Sequence, residues 1–185
     1  MANLDAPNGL KPVRHLTGGV IRTEEFKIAS GSSTAIFTGD CVKLLGTGYI
    51  DECDAGDRIL GVFAGCSYAN SSGEQIFSRQ WTASATTQGS VDVTAYVYSD
   101  PQIVFAVQSA GSADFADIGQ LADIVATAGD TNTGQSKHEI SGTTGTGTAG
   151  LRILGLYEEP KNAYGTNGVL EVQIYEHELT FATGV

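Results

Sequence analysis

The sequence has no long apolar run, and it is poor in methionine, tryptophan and proline. Without a run of about eighteen apolar residues, no helix is expected to cross a membrane. The first residues also lack the continuous apolar segment of a secretory signal. We therefore expect no membrane partner, and we expect synthesis and assembly in a cytoplasm. What the chain has instead is 24 glycines with much Thr, Ser and Ala, a composition that favours short strands and turns over long helices.

Cysteine is scarce as well. The three cysteines are Cys41, Cys53 and Cys66, an odd number with no CxxC spacing and no paired histidines beside them. This pattern favours buried, reduced thiols that pack as small hydrophobic side chains over a disulfide or a cysteine-ligated metal. The stability of the fold must then come from its hydrophobic core.

Basic side chains are outnumbered two to one, with 10 Lys and Arg against 21 Asp and Glu and a net charge of −11. Phosphate recognition needs clustered basic residues, and here they are spread along the chain, so we expect no nucleic-acid partner. The charge is also distributed unevenly along the chain. Through Lys27, four basic and three acidic residues give +1, whereas the remaining six basic and eighteen acidic residues give −12.

The common catalytic motifs are missing, because the sequence has no GxSxG, no HExxH and no Walker loop. Residues 145–150, GTGTAG, do match GxGxxG. A dinucleotide site needs a strand before those glycines and a helix after them, whereas here a β-like run follows a low-complexity stretch. We expect no enzyme activity and no cofactor. A pair of carboxylates that the fold brings together from distant positions is an alternative that the sequence leaves open.

Two groups of residues are candidates for metal binding. The densest acidic cluster consists of Asp51, Glu52, Asp54 and Asp57. It lacks the ligand spacing and the glycine of an EF-hand, so a solvated loop is favoured. His177 lies between two glutamates in a predicted strand and therefore points away from both, and no pattern brings it together with His15 or His138. We expect no metal site, and a chelator is expected to leave thermal unfolding unchanged.

Short alternations of apolar and polar residues, separated by Gly, Ser, Thr and Asp, run through the chain from residue 20 onward. Such alternation at regular spacing predicts an all-β fold, a β-sandwich or β-barrel of about ten short strands. The most apolar run, RILGVFAG at residues 58–65, is predicted to be a central core strand. Residues 91–98 and 102–108 are expected to form a hairpin. The other predicted strands are 20–22, 26–29, 35–37, 41–44, 49–50, 75–81, 151–157 and 169–181.

Two segments give a weaker pattern. Residues 117–128 fit either a short helix or a strand, and both alternatives stay open. Residues 127–150, mostly Gly, Thr, Ser and Ala, predict a flexible loop or a ragged hairpin. The predicted core consists of Ile59, Leu60, Val62, Phe63, Phe77, Val97, Phe105, Val107, Ile153, Leu154, Val172 and Ile174.

The N-terminal residues 1–19, MANLDAPNGLKPVRHLTGG, differ from the rest of the chain. Pro7 and Pro12 disfavour a helix and keep the segment extended. The apolar residues that nevertheless need burial are Leu4, Leu10, Val13 and Leu16. We therefore predict an extended docking arm at residues 1–22, followed by a single β-domain at 23–185. A fully extended arm of this kind reaches about 60 Å, far enough to contact a neighbouring subunit.

Several stretches resemble a tailed-bacteriophage virion structural protein, and the likeness runs along nearly the whole chain. They are residues 1–19, GDCVKL at 39–44, GDRILGVFAGCSY at 56–68, AYV at 95–97, DIG at 117–119 and LRILGL at 151–156. The members of this family look most like small capsid decoration, or cement, proteins. The resemblance implies a protein of the outer capsid surface that binds the major capsid protein, stabilises the head and commonly forms homotrimers. An acidic body suits that outer face better than a DNA-lined interior.

In this interpretation the arm is the element that binds the capsid or a neighbouring copy. Its expected binding residues are Leu4, Leu10, Lys11, Pro12, Val13, Arg14, His15 and Leu16. Arg14 is suited to pair with a capsid carboxylate through its planar guanidinium. Deleting residues 1–19 is then expected to leave a folded body that no longer binds the head.

The alternative hypothesis is a carbohydrate-binding module or hydrolase on a β-sandwich, with Trp81 and the tyrosines as the sugar platform. Another virion surface or tail component is a further alternative. The arm separates these hypotheses, because a lectin has no need of an extended segment, whereas a cement protein gains contacts with several subunits from it.

Overall fold

A computed structural model describes residues 3–180, and this part of the chain is nearly all β. The strands are β1 (Lys11–His15), β2 (Glu24–Ile28), β3 (Ile36–Phe37), β4 (Cys41–Leu44), β5 (Ile50–Glu52), β6 (Gly61–Ala69), β7 (Gln75–Ser78), β8 (Gln80–Trp81), β9 (Val93–Tyr98), β10 (Ile103–Gln108), β11 (Ser112–Ala113), β12 (Leu121–Ala122), β13 (Ile124–Val125), β14 (Glu139–Ile140), β15 (Leu151–Leu156), β16 (Gly165–Thr166) and β17 (Val169–Ile174). Two single-turn 3-10 helices lie at Gln88–Ser90 and Phe115–Asp117. No helix in this part of the chain has the length and apolar character needed to span a membrane.

Two main antiparallel sheets carry the fold. One has five strands in the order β1-β10-β17-β15-β12. The other has six strands, in the order β2-β9-β6-β4-β5, with β7 paired to β6. Three two-stranded ribbons, β3-β8, β11-β16 and β13-β14, complete the pairing of the described strands.

The hydrophobic core has two parts, one on each face of the six-stranded sheet. Because side chains alternate between the faces of a strand, Val62 of β6 joins one part and Phe63 the other. The first part lies between the two main sheets and includes Phe105 of β10 and Val172 of β17. The second part is closed by the β3-β8 ribbon, which contributes the fully buried Trp81.

The all-β class predicted from the alternation is confirmed. The apolar run at 58–65 does supply a central strand, because β6 has β9 on one side and β4 and β7 on the other. Strands β15 and β17 pair as expected for the two C-terminal runs. All three cysteines are buried and free. The part of the last predicted strand at residue 181 lies outside the described residues.

The predicted hairpin of residues 91–98 with 102–108 is wrong. Strand β9 pairs with β2 and β6, whereas β10 pairs with β1 and β17, so the connection between them crosses from one sheet to the other. In the connecting turn, the Asp100 side chain accepts a hydrogen bond from the backbone N–H of Gln102 at 2.8 Å. A short loop between two runs of alternating apolar and polar residues fits either a hairpin or a crossing between sheets. The sequence pattern favoured the hairpin.

Two residues of the predicted core are misplaced, because alternation identifies two faces without saying which one is buried. Phe77 lies on β7 with 76% of its surface exposed. Leu154 of β15 is half-buried. The remaining ten predicted core residues are buried. The predicted strand at 75–81 is interrupted at Arg79, and residues 20–22 form no strand.

The two weakly patterned segments contain more regular structure than the sequence suggested. Residues 117–128 contain the short strands β12 and β13 after a 3-10 turn, which decides between helix and strand. Within residues 127–150, β14 pairs with β13. Of the two alternatives for residues 127–150, the ragged hairpin therefore describes the part at β14.

Candidate functional site

The N-terminal segment divides into two parts, which we call the anchored half (residues 8–15) and the exposed half (residues 16–23). Leu10 belongs to the anchored half and is 1% exposed, packed in the core between the sheets. Its backbone N–H donates to the carbonyl of Gly39 at 2.9 Å. Gln135 holds the start of this half, because its side-chain amide donates to the carbonyl of Asn8 at 3.0 Å.

The next residues form strand β1, the edge of the five-stranded sheet, paired antiparallel to β10. Within the predicted arm, Lys11–His15 therefore pair with a strand of the body. Arg14 forms an ion pair with Glu171 of β17 at 2.7 Å, so its guanidinium is paired within this chain. Lys11 and Pro12 discourage addition of a further strand at this edge, since one carries a charge and the other has no N–H to donate.

The exposed half begins with a tight turn built around the imidazole of His15. The Nδ1 atom of His15 accepts the backbone N–H groups of Thr17 at 3.3 Å and Gly19 at 3.1 Å. Its Nε2 atom therefore carries the ring proton and donates to Asp100 at 3.1 Å. Gly19 lies so close to the ring that a Cβ there would stand 2.9 Å from it. The turn is thus fixed to the body by one largely buried histidine.

Within this turn and directly after it, the chain carries apolar side chains in solvent. Leu16 is 41% exposed and Val20 is 84% exposed, and only Ile21 packs partly against the core. Residues 19–23 form no strand. The exposed half is thus an ordered turn that carries Leu16, followed by a piece without strand structure that carries Val20.

The first described residues lie against the loop near the C-terminal strand β17. Asn3 donates its side-chain amide to the carbonyls of Ala163 and Thr166 at 2.8 and 2.9 Å. Beside it lies a half-open groove of about 390 Å³, whose lining includes Leu4 and Lys11. Leu4 is 81% exposed.

The eight predicted binding residues are therefore not one continuous docking surface. Leu4, Lys11, Arg14 and Leu16 are exposed, whereas Leu10 is buried. Pro12 and Val13 are half-buried, and the side chain of His15 is largely buried. Leu10 is removed from the set of surface anchors, because no partner can reach a side chain inside the core. Met1 and Ala2 of the predicted arm lie outside the described residues.

The hypothesis that Trp81 forms part of an exposed sugar-binding surface is wrong. Trp81 is fully buried in the outer part of the core, with its ring edge-on to Tyr68 at a centroid distance of 5.5 Å. Its indole N–H donates to the carbonyl of Ser32. A carbohydrate ligand stacks on an exposed aromatic face, so this tryptophan cannot serve as the platform.

A buried polar cluster that the sequence did not indicate lies at the edge of the six-stranded sheet. Asp40 directly precedes β4, Glu52 ends the edge strand β5, and His138 lies just before β14. The Nε2 atom of His138 is 2.9 Å from Oε1 of Glu52 and 3.4 Å from Oδ1 of Asp40. The side chains of Asp40 and His138 are completely buried, and that of Glu52 is 23% exposed.

Hydrogen bonds fix the orientation of this cluster. The backbone N–H of Cys41 donates to Nδ1 of His138 at 3.3 Å, so the ring proton lies on Nε2, which donates to Oε1 of Glu52. Oδ2 of Asp40 accepts the backbone N–H of Phe37 at 2.6 Å. Burial raises the pKa of Asp40 to about 6, and nearby His138 and the hydroxyl of Ser136 oppose that rise.

The dense acidic loop does not act as one ligand set. Asp57 pairs with Lys43 at 2.6 Å and also accepts the backbone N–H of Asp54. Glu52 alone of the four acidic residues belongs to the buried cluster. His138 lies 86 residues away from Glu52 in sequence, so no local spacing could have shown their contact.

The glycine motif at 145–150 lies in irregular chain between β14 and β15, and no helix follows it in the described structure. That context does not match a phosphate-binding turn. Comparison with known proteins gives no match to a family model, to a curated protein or to a solved structure.

Proposed function

We propose that this protein is a structural component of a tailed-bacteriophage virion, a capsid decoration or cement protein on the outer surface of the head. Its partner is the major capsid protein, and copies of the chain associate as homotrimers. The proposal starts from the sequence resemblance along nearly the whole chain. The acidic composition supports it, because an outward-facing protein avoids the repulsion that packaged DNA would impose.

The observation that carries the proposal is the exposed half of the N-terminal segment. Leu16 lies within the turn that His15 fixes to the body, and Val20 directly follows that turn, yet both side chains remain in solvent. Apolar side chains held in place on an ordered surface lose little entropy on binding, so they are suited to serve as interface anchors. The edge strand β1 gives this surface a rigid base.

The experiment uses empty heads assembled from the major capsid protein of the same phage without the decoration protein. We expect the full-length chain to co-sediment with these heads and to raise their melting temperature. The double variant Leu16→Ser, Val20→Ser should bind at least about tenfold more weakly, because loss of a central anchor commonly costs more than one factor of ten. The matched control is Val91→Ser, which replaces a 66% exposed valine on another part of the surface.

Equal decoration by the double variant and the full-length protein would remove the exposed half from the interface. Absence of any co-sedimentation of the full-length protein would overturn the proposed function itself. Sedimentation equilibrium of the free protein tests the trimer, which should appear at three times the chain mass of 19.2 kDa.

A further inference from the structure

The buried cluster of Asp40, Glu52 and His138 takes no part in the proposed function. We propose that these three side chains form a binding site for one divalent cation, and that Zn²⁺ fits their chemistry best. The inference rests on the geometry of the cluster and on one unpartnered buried oxygen, and it does not depend on the capsid assignment.

The three ligating atoms already have the spacing that a small cation requires. Nε2 of His138 lies 2.9 Å from Glu52 and 3.4 Å from Asp40, and all three atoms lie within 4.8 Å of one another. In a tetrahedral zinc site with bonds of about 2.0 Å, neighbouring ligand atoms are separated by about 3.3 Å. An ion between the three atoms therefore needs only small side-chain shifts.

Asp40 supplies the second, independent observation. Its side chain is completely buried, and Oδ1 has no hydrogen-bond partner, although Oδ2 accepts the N–H of Phe37. A buried carboxylate oxygen without a donor is costly, and such atoms are rare in folded proteins. Oδ1 is aimed at Nε2 of His138, which is the direction in which a shared cation would lie.

The donor set indicates which ion binds. Mg²⁺ and Ca²⁺ prefer shells of oxygen atoms alone, whereas an imidazole nitrogen with two carboxylates suits Zn²⁺ and similar transition-metal ions. Glu52 is 23% exposed and lies on the edge strand β5, so the ion can enter from solvent on that side. Water from the same side can complete a tetrahedral shell.

The metal-free protein holds the same groups together with a proton. The Nε2–H of His138 donates to Oε1 of Glu52 at 2.9 Å, so the fold does not depend on an ion at this point. When a cation binds Nε2, the ring proton moves to Nδ1, where it faces the N–H of Cys41. The 3.3 Å bond from Cys41 must then break, which weakens the affinity relative to a site whose histidine is already in the metal-binding tautomer.

The test uses the full-length protein, stripped of metal with a chelator and dialysed. Isothermal titration calorimetry with Zn²⁺ should show one ion per chain, and melting should shift upward in excess Zn²⁺ because the ion binds the folded state. Glu52→Gln should weaken the binding at least about tenfold. The matched control is Asp54→Asn, which neutralises an exposed carboxylate two positions away and should leave the binding unchanged.

A second variant, Asp40→Asn, and a second ion, Co²⁺, distinguish loss of metal binding from loss of folding. Asp40→Asn retains an oxygen for the N–H of Phe37, and it should also lose affinity while its far-ultraviolet circular dichroism stays unchanged. Co²⁺ should give the visible absorption of a tetrahedral site in the full-length protein and not in Glu52→Gln. The proposal is overturned if Zn²⁺ shows no saturable binding below about 1 mM, or if Glu52→Gln binds as tightly as the full-length protein.

Discussion

The anchored and exposed halves of the N-terminal segment are similar in composition, yet their relations to the body are opposite. In the anchored half Leu10 is buried between the sheets, and the following strand fills the free edge of β10. In the exposed half Leu16 and Val20 find no such place, although the turn that carries them is ordered. The difference arises from what each half meets on the β-domain. The anchored half pairs with the edge of β10 and places Leu10 in the core, whereas Leu16 and Val20 have no such contacts.

This comparison changes how the segment can be studied. Deleting residues 1–19 would remove strand β1 and the buried Leu10 together with the exposed half. The truncated chain would lose stability as well as any interface, so a loss of head binding would not distinguish between the two effects. Point variants that affect one half at a time separate the loss of stability from the loss of the interface.

The largest expected effect is on the anchored half. Leu10→Ala should lower the free energy of unfolding by about 2–5 kcal/mol, because it leaves a cavity in a packed core. Leu4→Ala is the matched control. Leu4 is 81% exposed, so its replacement should change stability by no more than about 0.5 kcal/mol. Chemical denaturation followed by circular dichroism measures both, and equal effects would contradict the burial of Leu10 in the core.

A glycine pair offers a smaller but more specific comparison. Gly9 and Gly18 both have left-handed backbone angles, with φ of 64° and 76°. A Cβ at Gly9 would lie 2.5 Å from Cβ of Ser136 and 2.6 Å from the carbonyl oxygen of Gly39, whereas a Cβ at Gly18 would meet nothing within 4 Å.

Gly18→Ala should therefore cost only the backbone strain, about 1–2 kcal/mol. Gly9→Ala should cost a further 1–3 kcal/mol or so, because the packed neighbours must also move. The difference in melting temperature between the two variants measures this added cost. Equal melting temperatures would show that residues 8–10 do not pack tightly on the loop that carries Asp40.

The sequence was sufficient for features that depend on local pattern. Alternation of apolar and polar residues predicted the all-β class, and the apolar run at 58–65 predicted the central strand β6. Ten of the twelve predicted core residues are buried. These features follow from the two-residue period of a strand, which any short window of sequence contains.

Features that depend on distant partners could not be predicted in this way. The strand partners of β10 lie about ninety residues before it and about seventy after it, so nothing local distinguished a hairpin from a crossing between sheets. The same holds for His138, which meets Glu52 across 86 residues. The alternation at β7 defines two faces of the strand without showing which one is buried, so it could not show that Phe77 faces solvent.

The smallest expected effect concerns His15, the residue at which the two halves meet. Its Nδ1 accepts the N–H groups of Thr17 and Gly19, and its Nε2 bonds Asp100. His15→Phe keeps a ring of similar size and removes these bonds, so stability should fall by about 1 kcal/mol. Hydrogen exchange at the amides of Thr17 and Gly19 should accelerate, whereas exchange in the core strands should change only through that small loss of stability.

The control for this variant is Arg14→Ala, which removes the neighbouring ion pair with Glu171 and leaves the turn intact. Exchange at Thr17 and Gly19 should be unchanged in the control, because an exposed ion pair contributes at most about 1 kcal/mol and neither amide depends on it. If His15→Phe also weakens head binding, while Leu16 and Val20 remain in place, the order of the turn itself contributes to the interface. Unchanged exchange in His15→Phe would show that the exposed half is held by something other than the imidazole, and the boundary between the halves would have to be moved.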